Sequence, residues 1–437
     1  MAAQEGDLRI DGDRLWESIR VMAKIGPGVR GGNNRQALTD ADGAARRLFR
    51  RWCEEIGARV FVDTMGNMFA LYEGTEPGLD PVMAGSHLDT QPTGGKFDGV
   101  LGVLGALEVI RSLKDAGLRT RRPIEIVNWT NEEGTRFAPA MLASGVFAGV
   151  YDEAWAKART DAAGKSFGAE LGRIGFLGEE PVGGRKPYAY FELHIEQGPI
   201  LEEEGVDIGV VTHVQGLTWL QVTLTGRESH TGSTPMAKRR NAGLGAARLT
   251  EVVDRIAWRN APLAVGTVGQ MDLYPNSRNI IPGRAVLTID FRHKDKAVLD
   301  GMVAALREEA EAIAQKMGLG LAIEEVGHFD PVHFDEACVG RVRDAAKRLG
   351  LSHRDIVSGA GHDACWINRV APTAMVFCPC VDGLSHNEEE EITKEWAVNG
   401  ASVLFAAVAE TAGLGGARRT DQGLPSIHPP ESGERTP

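Results

Sequence analysis

The sequence is poor in cysteine, in long apolar runs and in clusters of basic residues. It has five cysteines in 437 residues, and an odd number of scattered thiols is typical of reduced cysteines in the cytoplasm. No stretch reaches the roughly 18 apolar residues that cross a membrane. The N-terminal segment MAAQEGDLRI has neither the basic nor the apolar region of a signal peptide. The net charge of -12 argues against nucleic-acid binding, because phosphate contacts need a basic face. We therefore expect a cytoplasmic protein that binds neither nucleic acid nor membranes.

The order of apolar patterns predicts two domains, one inserted into the other. PVMAGS leads through a glycine-rich loop to the helical pattern GVLGVLGALEVIRSL, and the apolar run PIEIVNWT leads to NEEGTRF. This alternation predicts an α/β sheet domain with its chemistry in the loops after the strands. Residues 219–226 and 284–292 alternate instead like strands with one solvated face, and 241–256 and 296–317 have helical patterns. We therefore predict a catalytic α/β sheet domain with an inserted smaller α+β domain, an antiparallel sheet plus two helices.

The domain boundaries follow from where these patterns change. The catalytic domain is predicted over 1–212 and 330–413, the inserted domain over 213–329, and a tail over 414–437. The tail is rich in glycine, proline and polar residues, so it is predicted to be disordered.

Five polar stretches follow or end apolar runs, so the sheet is expected to bring them to one edge. They are GSHLDTQPTGGKFDG, NWTNEEGTRF, YFELHIEQGP, SGAGHDACW and GLSHNEEEE. Their metal-binding residue types are His87, Asp98, Glu132, Glu133, His194 and His386. Imidazoles and carboxylates without thiolates suit Zn²⁺, Mn²⁺, Co²⁺ or Ni²⁺. These side chains are too many for one tetrahedral ion with an open water position. We therefore predict two divalent metal ions per subunit, about 3.5–4 Å apart, that share a bridging carboxylate.

Individual positions within these stretches suggest distinct roles. Asp98 is the natural bridge, because it is short and the glycines beside it allow close backbone approach. On an extended segment Asp89 would point to the same side as His87 and accept its imidazole N–H as a second-shell partner. Glu132 and Glu133 are adjacent, so one carboxylate can bind metal while the other acts as general base. Residue type alone leaves open which glutamate does which.

Seven motifs, in order from about residue 10 to 413, make the chain resemble a known family. They are GSHLDTQPTGGKFDG, NEEGTRFAPAMLASGVFAG, FELHIEQGP, GRESHTGSTPM, NSRNIIPG with DFR, SGAGHDA and GLSHNEEE. They look like the amidase/hydantoinase-pathway branch of the dinuclear carboxypeptidase-like metallopeptidases. The QPTGGKFDG loop and VGQM at 268–271 are most similar to the bacterial N-carbamoyl-L-amino acid hydrolases. The resemblance implies an enzyme that hydrolyses the ureido C–N bond of N-carbamoyl-L-amino acids to L-amino acid, CO₂ and ammonia.

The same resemblance implies the ligand set and the base. His87, Asp98 and His194 would bind one ion. Asp98, Glu133 and His386 would bind the other, which leaves Glu132 as the general base.

It also implies a homodimer whose inserted domain serves as a dimerisation and lid domain. That domain would lend three residues to the partner's site. His230 would stabilise the oxyanion, and Asn279 and Arg292 would hold the substrate carboxylate. Gln197 and Gln215 match positions expected to line the pocket and contact substrate.

Other activities remain open from the sequence. The same site would serve a β-ureidopropionase or an allantoate or ureidoglycolate amidohydrolase, and Gln91 is a candidate specificity contact among these ureido acids. A peptidase of the same clan would more often carry an acid at His194. A non-catalytic binding protein on the same fold would not need a complete ligand set and base.

Several of these residues also have purely structural interpretations. Arg292 shares a strand face with Asp290 and would pair with it. His362 and Asp363 in SGAGHDACW would shape a loop, and no catalytic step is predicted for them. The four glutamates 388–391 are predicted to be a solvated acidic run.

Overall fold

The computed structural model describes residues 9–414, which form two compact units. The first unit contains the described residues up to Thr212 and those from Phe334 onward, and the second unit is His213–His333. The second unit thus extends past 329, the predicted end of the inserted domain. The predicted disordered tail lies outside the described residues, apart from Leu414.

The first unit is built from alternating strands and helices. Before residue 213 the elements are α1 (Gly12–Met22), α2 (Asp40–Glu55), β1 (Arg59–Val62), β2 (Met68–Tyr72), β3 (Val82–His87), α3 (Val100–Asp115), β4 (Ile124–Trp129), α4 (Leu142–Phe147), α5 (Glu153–Lys157), α6 (Phe167–Ile174), β5 (Ala189–Ile195), α7 (Ile200–Glu204) and β6 (Ile208–Val214), whose last residues enter the second unit. Polar residues begin several of the helices. The Thr39 hydroxyl, for example, accepts the N–H of Asp42 at 3.3 Å and so caps α2.

The second unit has the predicted antiparallel sheet and two long helices. Its elements are β7 (Gly216–Thr225), β8 (Ser229–His230), a 3-10 helix (Met236–Lys238), α8 (Ala242–Arg259), β9 (Val265–Tyr274), β10 (Ile280–Ile281), β11 (Arg284–His293), α9 (Lys296–Met317), β12 (Gly320–Phe329) and β13 (Val332–His333). The first unit then resumes with α10 (Glu336–Arg348), β14 (His353–Ser358), α11 (Asp363–Ile367), β15 (Thr373–Cys378), a 3-10 helix (Val381–Gly383) and α12 (Lys394–Thr411).

The main sheet is mixed, with a parallel centre. Its order is β1-β2-β4-β3-β5-β15-β6-β13, and β14 also pairs with β6. The pairs β3–β4, β3–β5 and β5–β15 are parallel, whereas β1–β2, β2–β4 and β6–β15 are antiparallel. Strands β3, β4, β5 and β15 are buried along their whole length, as parallel strands covered on both faces are. Their carboxyl ends therefore lie at one edge of the sheet.

The sheet of the second unit has four strands in the order β12-β7-β11-β9, all antiparallel. The alternation in β7 is as predicted, since Leu220, Val222 and Leu224 are fully buried against α8 and α9. The apolar alternation predicted only two of these strands, β7 and β11, and not the edge strands β9 and β12. Both edge strands are mostly exposed or half-buried, so they lack the apolar alternation that marks β7 and β11.

Two features expected from composition can be compared with the described residues. Within 9–414, no helix combines the length and the apolar character needed to span a bilayer. All five cysteines are free and buried.

Candidate metal centre

The histidines and acids of the five polar stretches come together at the carboxyl edge of the main sheet. His87 ends β3, Glu132 and Glu133 follow β4, and His194 is the last residue but one of β5. Asp98 lies just before α3, and His386 follows β15. Strands β4, β3, β5 and β15 are neighbours in the parallel centre of the sheet. Residues that are far apart in sequence therefore meet at one place.

Asp98 contacts two groups of candidate ligands through its two oxygens. Its Oδ1 lies 3.4 Å from Nε2 of His87 and 3.1 Å from Nε2 of His194. Its Oδ2 lies 3.4 Å from Nε2 of His386, and that nitrogen is also 3.4 Å from Oε2 of Glu133. The groups His87–Asp98–His194 and Asp98–Glu133–His386 each bring three ligand atoms within 4.8 Å of one another. The carboxylate of Asp98 therefore lies where a shared ligand of two cations would lie.

The two strand histidines present Nε2 to this centre. Nδ1 of His87 lies 2.8 Å from the carbonyl oxygen of Asp89, and Nδ1 of His194 lies 2.9 Å from that of Ile195. Each carbonyl holds a proton on Nδ1, so the lone pair of the neutral ring lies on Nε2. Nε2 of His194 also accepts the N–H of Gly99 at 3.3 Å. Nε2 of His87 is buried without a hydrogen-bond partner. A buried imidazole nitrogen that faces a carboxylate is suited to bind a divalent metal ion.

Asp89 contacts His87 as predicted, but the prediction was wrong about the atoms: the backbone carbonyl makes the contact, not the carboxylate. The strand ends at His87, so the alternation of an extended segment does not continue to Asp89. Its backbone carbonyl therefore contacts the imidazole, and its carboxylate accepts the N–H groups of Glu132 and Glu133, both at 3.3 Å. Asp89 thus orients His87 through its backbone and the two glutamates through its side chain.

Glu132 and Glu133 diverge, as expected for neighbours in sequence. Oε2 of Glu132 is 3.5 Å from Nε2 of His87, whereas Glu133 faces His386. Burial raises the pKa of Glu132 well above its ordinary value, against the opposite effect of His87. Burial also raises the pKa of Glu133, to about 7. Gln91, the predicted specificity contact, donates hydrogen bonds to Glu133 from its backbone N–H and its amide.

The pKa of Asp98 is shifted in the opposite direction to those of Glu132 and Glu133. Burial alone raises its pKa, but the three surrounding imidazoles lower it well below the ordinary value. The hydrogen bond to Asp98 raises the pKa of His386 to about 9. Asp98 is therefore the carboxylate of this centre that keeps its negative charge most readily.

Gln197 lies at the same centre. Its Nε2 is 2.8 Å from Oδ2 of Asp98 and 3.2 Å from Oγ of Ser385. Its Oε1 is buried without a hydrogen-bond partner. Gln197 also has a left-handed backbone conformation, with φ of +57°, which is uncommon for a residue other than glycine. The amide thus presents an acceptor beside the bridging carboxylate.

The interpretation of 388–391 as a solvated acidic run is half wrong. Glu389 and Glu391 are exposed, but Glu388 and Glu390 are buried, with 4% and 1% of their surfaces exposed. Glu390 accepts the N–H of Asp98 at 3.1 Å. Sequence reasoning missed these contacts because a run of identical residues shows no alternation between buried and exposed positions. The available signal was the set of glycine-rich loops, 26–32 and 94–95, whose backbones receive the two side chains.

The remaining predicted site residues belong to the second unit. His230 and Asn279 lie next to each other, since the N–H of Thr231 donates to the carbonyl of Asn279 at 3.1 Å. Nδ1 of His230 accepts the N–H groups of Gly232 and Ser233, both at 3.1 Å, so the neutral ring carries its proton on Nε2.

Two further residues of the second unit have partners inside it. Gln215 donates from Nε2 to the carbonyl of Leu263 at 3.0 Å. Arg292 pairs with Asp290 at 2.9 Å, as the structural interpretation of that strand allowed. The hydrogen bond of Gln215 and the ion pair of Arg292 are both structural contacts inside the second unit.

His362 and Asp363, which were predicted to shape a loop and to take no catalytic step, are both buried. The ring centroids of His362 and His194 are 4.5 Å apart, and Nε2 of His362 lies 3.1 Å from Oγ of Ser358. Asp363 accepts the hydroxyl of Ser144, and burial raises its pKa well above the ordinary value. Both side chains therefore pack inside the first unit, beside the candidate ligand His194 and next to Ser144.

Comparison with known proteins agrees with this arrangement. Residues 83–410 match the family described as peptidase family M20/M25/M40. An N-carbamoyl-L-amino-acid amidohydrolase from Rhizobium meliloti is 63% identical over 412 residues, 94% of this chain and 99% of the relative. A ureidoglycolate hydrolase from Arabidopsis thaliana is 36% identical, over 92% of this chain and 87% of that protein. The crystal structure of a hydantoinase/carbamoylase family amidase from Burkholderia multivorans superposes with a TM-score of 0.90 at 57% identity, covering 93% of this chain and 98% of that one. The chain therefore belongs to the peptidase family M20/M25/M40 and, within it, to the hydantoinase/carbamoylase-type amidases that its motifs resemble.

Proposed function

We propose that this protein hydrolyses the carbamoyl C–N bond of N-carbamoyl-L-amino acids, giving L-amino acid, CO₂ and ammonia. The observation that carries the proposal is the 63% identity to a relative of that name, over almost the full length of both chains. The candidate metal centre supports it, because amide hydrolysis needs a charged, water-activating site and two groups of three candidate ligands meet here, with Glu132 beside them as the candidate base.

Two divalent cations fit the two ligand groups. His87, Asp98 and His194 would hold one, and Asp98, Glu133 and His386 the other. The unpartnered Nε2 of His87 and the all-nitrogen-and-oxygen donor set favour Zn²⁺, Mn²⁺, Co²⁺ or Ni²⁺. When bound, such ions lower the pKa of water and polarise a carbonyl oxygen.

Glu132 is the residue that moves protons in this proposal. It is buried at the centre, it contacts His87 rather than the second ligand group, and its raised pKa suits a carboxylate that must take up and release a proton. Glu132 accepts the proton of the attacking water and then donates it to the leaving nitrogen. The carbamoyl carbon thereby exchanges its C–N bond for a C–O bond.

The residues proposed to contact substrate include members of each unit. The buried acceptor Oε1 of Gln197 suits a ureido N–H. Arg292 and Asn279 suit the carboxylate of the substrate, because a guanidinium binds carboxylates in a bidentate manner. Nε2–H of His230 is an exposed donor suited to the oxyanion, and Gln215 would complete the pocket.

We further propose a homodimer in which His230, Asn279 and Arg292 of the second unit complete the site of the partner. The edge strand β9 supports an interface on this unit, because among the described residues 9–414 only β11 pairs with it and because it exposes Val265 and Met271. A cytoplasmic location belongs to the same proposal. The five free cysteines support it, since reducing compartments preserve thiols.

A second candidate activity is ureidoglycolate hydrolysis. The 36% identity to the Arabidopsis enzyme, over most of both chains, favours it over other ureido acids. β-Ureidopropionase and allantoate amidohydrolase activities use the same chemistry on related substrates. A substrate panel distinguishes these possibilities from one another and from a protein that binds without catalysis.

The test is amino acid and ammonia release from N-carbamoyl-L-methionine, its D-enantiomer, N-carbamoyl-β-alanine, allantoate and ureidoglycolate. We expect the highest kcat/KM with the N-carbamoyl-L-amino acid, and loss of activity on chelation that added Zn²⁺, Mn²⁺, Co²⁺ or Ni²⁺ restores. Full activity after complete metal removal would contradict the metal-dependent mechanism. A clear preference for ureidoglycolate would establish the second candidate instead.

The two adjacent glutamates provide a matched pair of variants. Glu132→Gln should lower kcat by about 10²–10⁴-fold, with both metal ions retained, because it removes the proton carrier but no ligand. Glu133→Gln should instead weaken the binding of one metal ion. Metal content by elemental analysis and kcat for both variants check this prediction, and the reverse pattern would exchange the roles of the two residues.

A further inference from the structure

Glu390 connects the two segments that carry Asp98 and His386. Its Oε1 accepts the N–H groups of Phe97 at 3.0 Å and Asp98 at 3.1 Å. Its Oε2 lies 3.1 Å from Oγ of Ser385, the residue before His386. That hydroxyl also lies 3.0 Å from Oδ2 of Asp98. One buried carboxylate therefore links the backbone of one candidate ligand to the loop of another.

The loop before Asp98 is shaped to receive this side chain. A Cβ on Gly95 would lie 2.0 Å from Cδ of Glu390, a distance that real atoms do not reach. Glycine is therefore required at 95 for Glu390 to enter. The close approach and the burial of Glu390 show that the two segments are fitted to each other.

The loop of His386 benefits from such support. His386 has φ of +54°, a left-handed conformation that is uncommon for residues other than glycine and costs free energy unless the surrounding structure holds it. On its other side the loop is held by Glu388, whose carboxylate accepts the N–H of Arg30. A Cβ on Gly28 would lie 2.3 Å from Oε2 of Glu388, so that contact also depends on a glycine. Glu388 and Glu390 thus anchor the loop to two different segments.

We infer that Glu390 is a positioning residue that fixes the shared carboxylate of Asp98 against the loop of His386. The inference rests on the two-ion site proposed above. His87 and His194 are buried in or at the end of strands, so the sheet itself holds the first ligand group. His386 lies on a loop, and its side chain is 52% exposed. The second group, Asp98–Glu133–His386, therefore depends on Glu390 more than the first group does.

The matched variants are Glu390→Ala, Glu390→Gln and Glu389→Gln. Glu389→Gln removes the same charge from the same loop, but at an exposed residue. Glu390→Gln keeps an oxygen that accepts the N–H of Asp98, whereas Glu390→Ala removes it. Titration of each metal-free protein with Co²⁺, followed by calorimetry and by visible absorption, reports the two binding events separately.

We expect Glu390→Ala to weaken the second Co²⁺ by about 10–100-fold, as loss of an outer-shell partner does, and to weaken the first by a clearly smaller factor, because the first group shares only Asp98 with the second. Glu390→Gln should restore most of the loss, and Glu389→Gln should match the wild type. Circular dichroism and Tm of the metal-free proteins check folding. If Glu390→Ala does not fold, Glu390→Asp replaces it, because the shorter acid keeps the charge but shortens the link.

The outcomes separate this inference from the proposed function. Two Co²⁺ ions bound with wild-type affinities by Glu390→Ala would contradict the positioning role alone. An equal loss of both ions would also contradict it, because it would indicate a general structural role. A wild-type protein that binds fewer than two ions would contradict the two-ion site and, with it, the role of Glu390.

Discussion

Asp98 has the most constrained side chain of the candidate site, because each of its oxygens faces a different ligand group. Oδ1 faces His87 and His194, and Oδ2 faces His386. A short side chain has few rotatable bonds, so the placement of its backbone decides where both oxygens lie. That backbone is set by the contact to Glu390 on one side and by Gly99 on the other. At the scale of single residues, the geometry of the centre is therefore decided largely by groups that are not ligands.

Gly99 gives a test of this conclusion, with Gly117 as a control that matches its φ. Gly99 and Gly117 both have φ of +66°. A Cβ at Gly99 would lie 2.4 Å from Nε2 of His87, whereas a Cβ at Gly117 would have nothing within 4 Å. Gly117→Ala therefore carries only the backbone cost, about 1–3 kcal/mol of the free energy of unfolding. Gly99→Ala should show a larger loss of Tm and also a weaker binding of Co²⁺. Equal losses of Tm with unchanged Co²⁺ binding would contradict the close packing of His87.

At the scale of elements, the site exists because four strands end at the same edge. The sequence alone predicts that four candidate site residues are neighbours, because each ends or follows an apolar run and parallel strands align their carboxyl ends. These residues are His87, Glu132, His194 and His386. The contact that Asp89 makes could not be predicted in this way. It depends on whether β3 ends at His87 or continues two residues further to Asp89. Boundaries of elements are set by tertiary contacts that a local pattern does not contain.

The same limit explains the missed elements. The central strands β7 and β11 bury every second residue completely, so their patterns are clear in the sequence. The edge strands β9 and β12 are paired on one side only and bury none of their residues fully, so polarity hides them. Glu388 and Glu390 were missed for a related reason, since their burial depends on glycine loops far away in the chain.

Strand β4 supplies a prediction about pH. Burial raises the pKa of Glu125 to about 7, although Arg185 opposes the shift. The folded state therefore holds a proton that the unfolded state, with its ordinary pKa of 4.5, releases. Stability from this group is complete below the unfolded pKa and is lost as pH rises from about 4.5 to 7. In Glu125→Gln this loss is absent, and Arg185 keeps Glu180 as a partner at 3.2 Å.

We therefore expect the free energy of unfolding of Glu125→Gln, relative to wild type, to rise by on the order of 2 kcal/mol between pH 5 and pH 8. Denaturant titrations of both metal-free proteins at pH 5, 6, 7 and 8 measure this difference. Parallel pH profiles would show that Glu125 is already ionised at pH 5. A difference of the opposite sign would show that its ion pair with Arg185 outweighs burial.

At the scale of the whole molecule, the predicted site residues fall into two sets. The candidate ligands, Glu132 and Gln197 belong to the first unit, whereas the predicted oxyanion and carboxylate contacts belong to the second. Two side chains of the second set are held in place by contacts within the second unit. His230 is fixed by two backbone N–H groups, and Arg292 by Asp290. If the dimer joins the two sets, one subunit with a disabled first set and one with a disabled second set should together form an intact site.

The separating variants are Glu132→Gln, which disables the first unit, and His230→Ala, which disables the second. If His230 acts across the dimer, a mixed dimer has one site with both residues intact and one with neither. Half of the dimers in an equal mixture are mixed, so exchange should restore about a quarter of the wild-type activity. If His230 acts within its own subunit, every site keeps one defect and no activity returns.

Mixing Glu132→Gln with the double variant Glu132→Gln/His230→Ala is the control, because no arrangement of those subunits contains an intact base. Activity there would reveal contamination rather than complementation. Size-exclusion chromatography with light scattering establishes the dimer and its exchange before the assay. Exchanged mixed dimers without restored activity would place His230 in the site of its own subunit, and the dimer would then not be needed to complete the site.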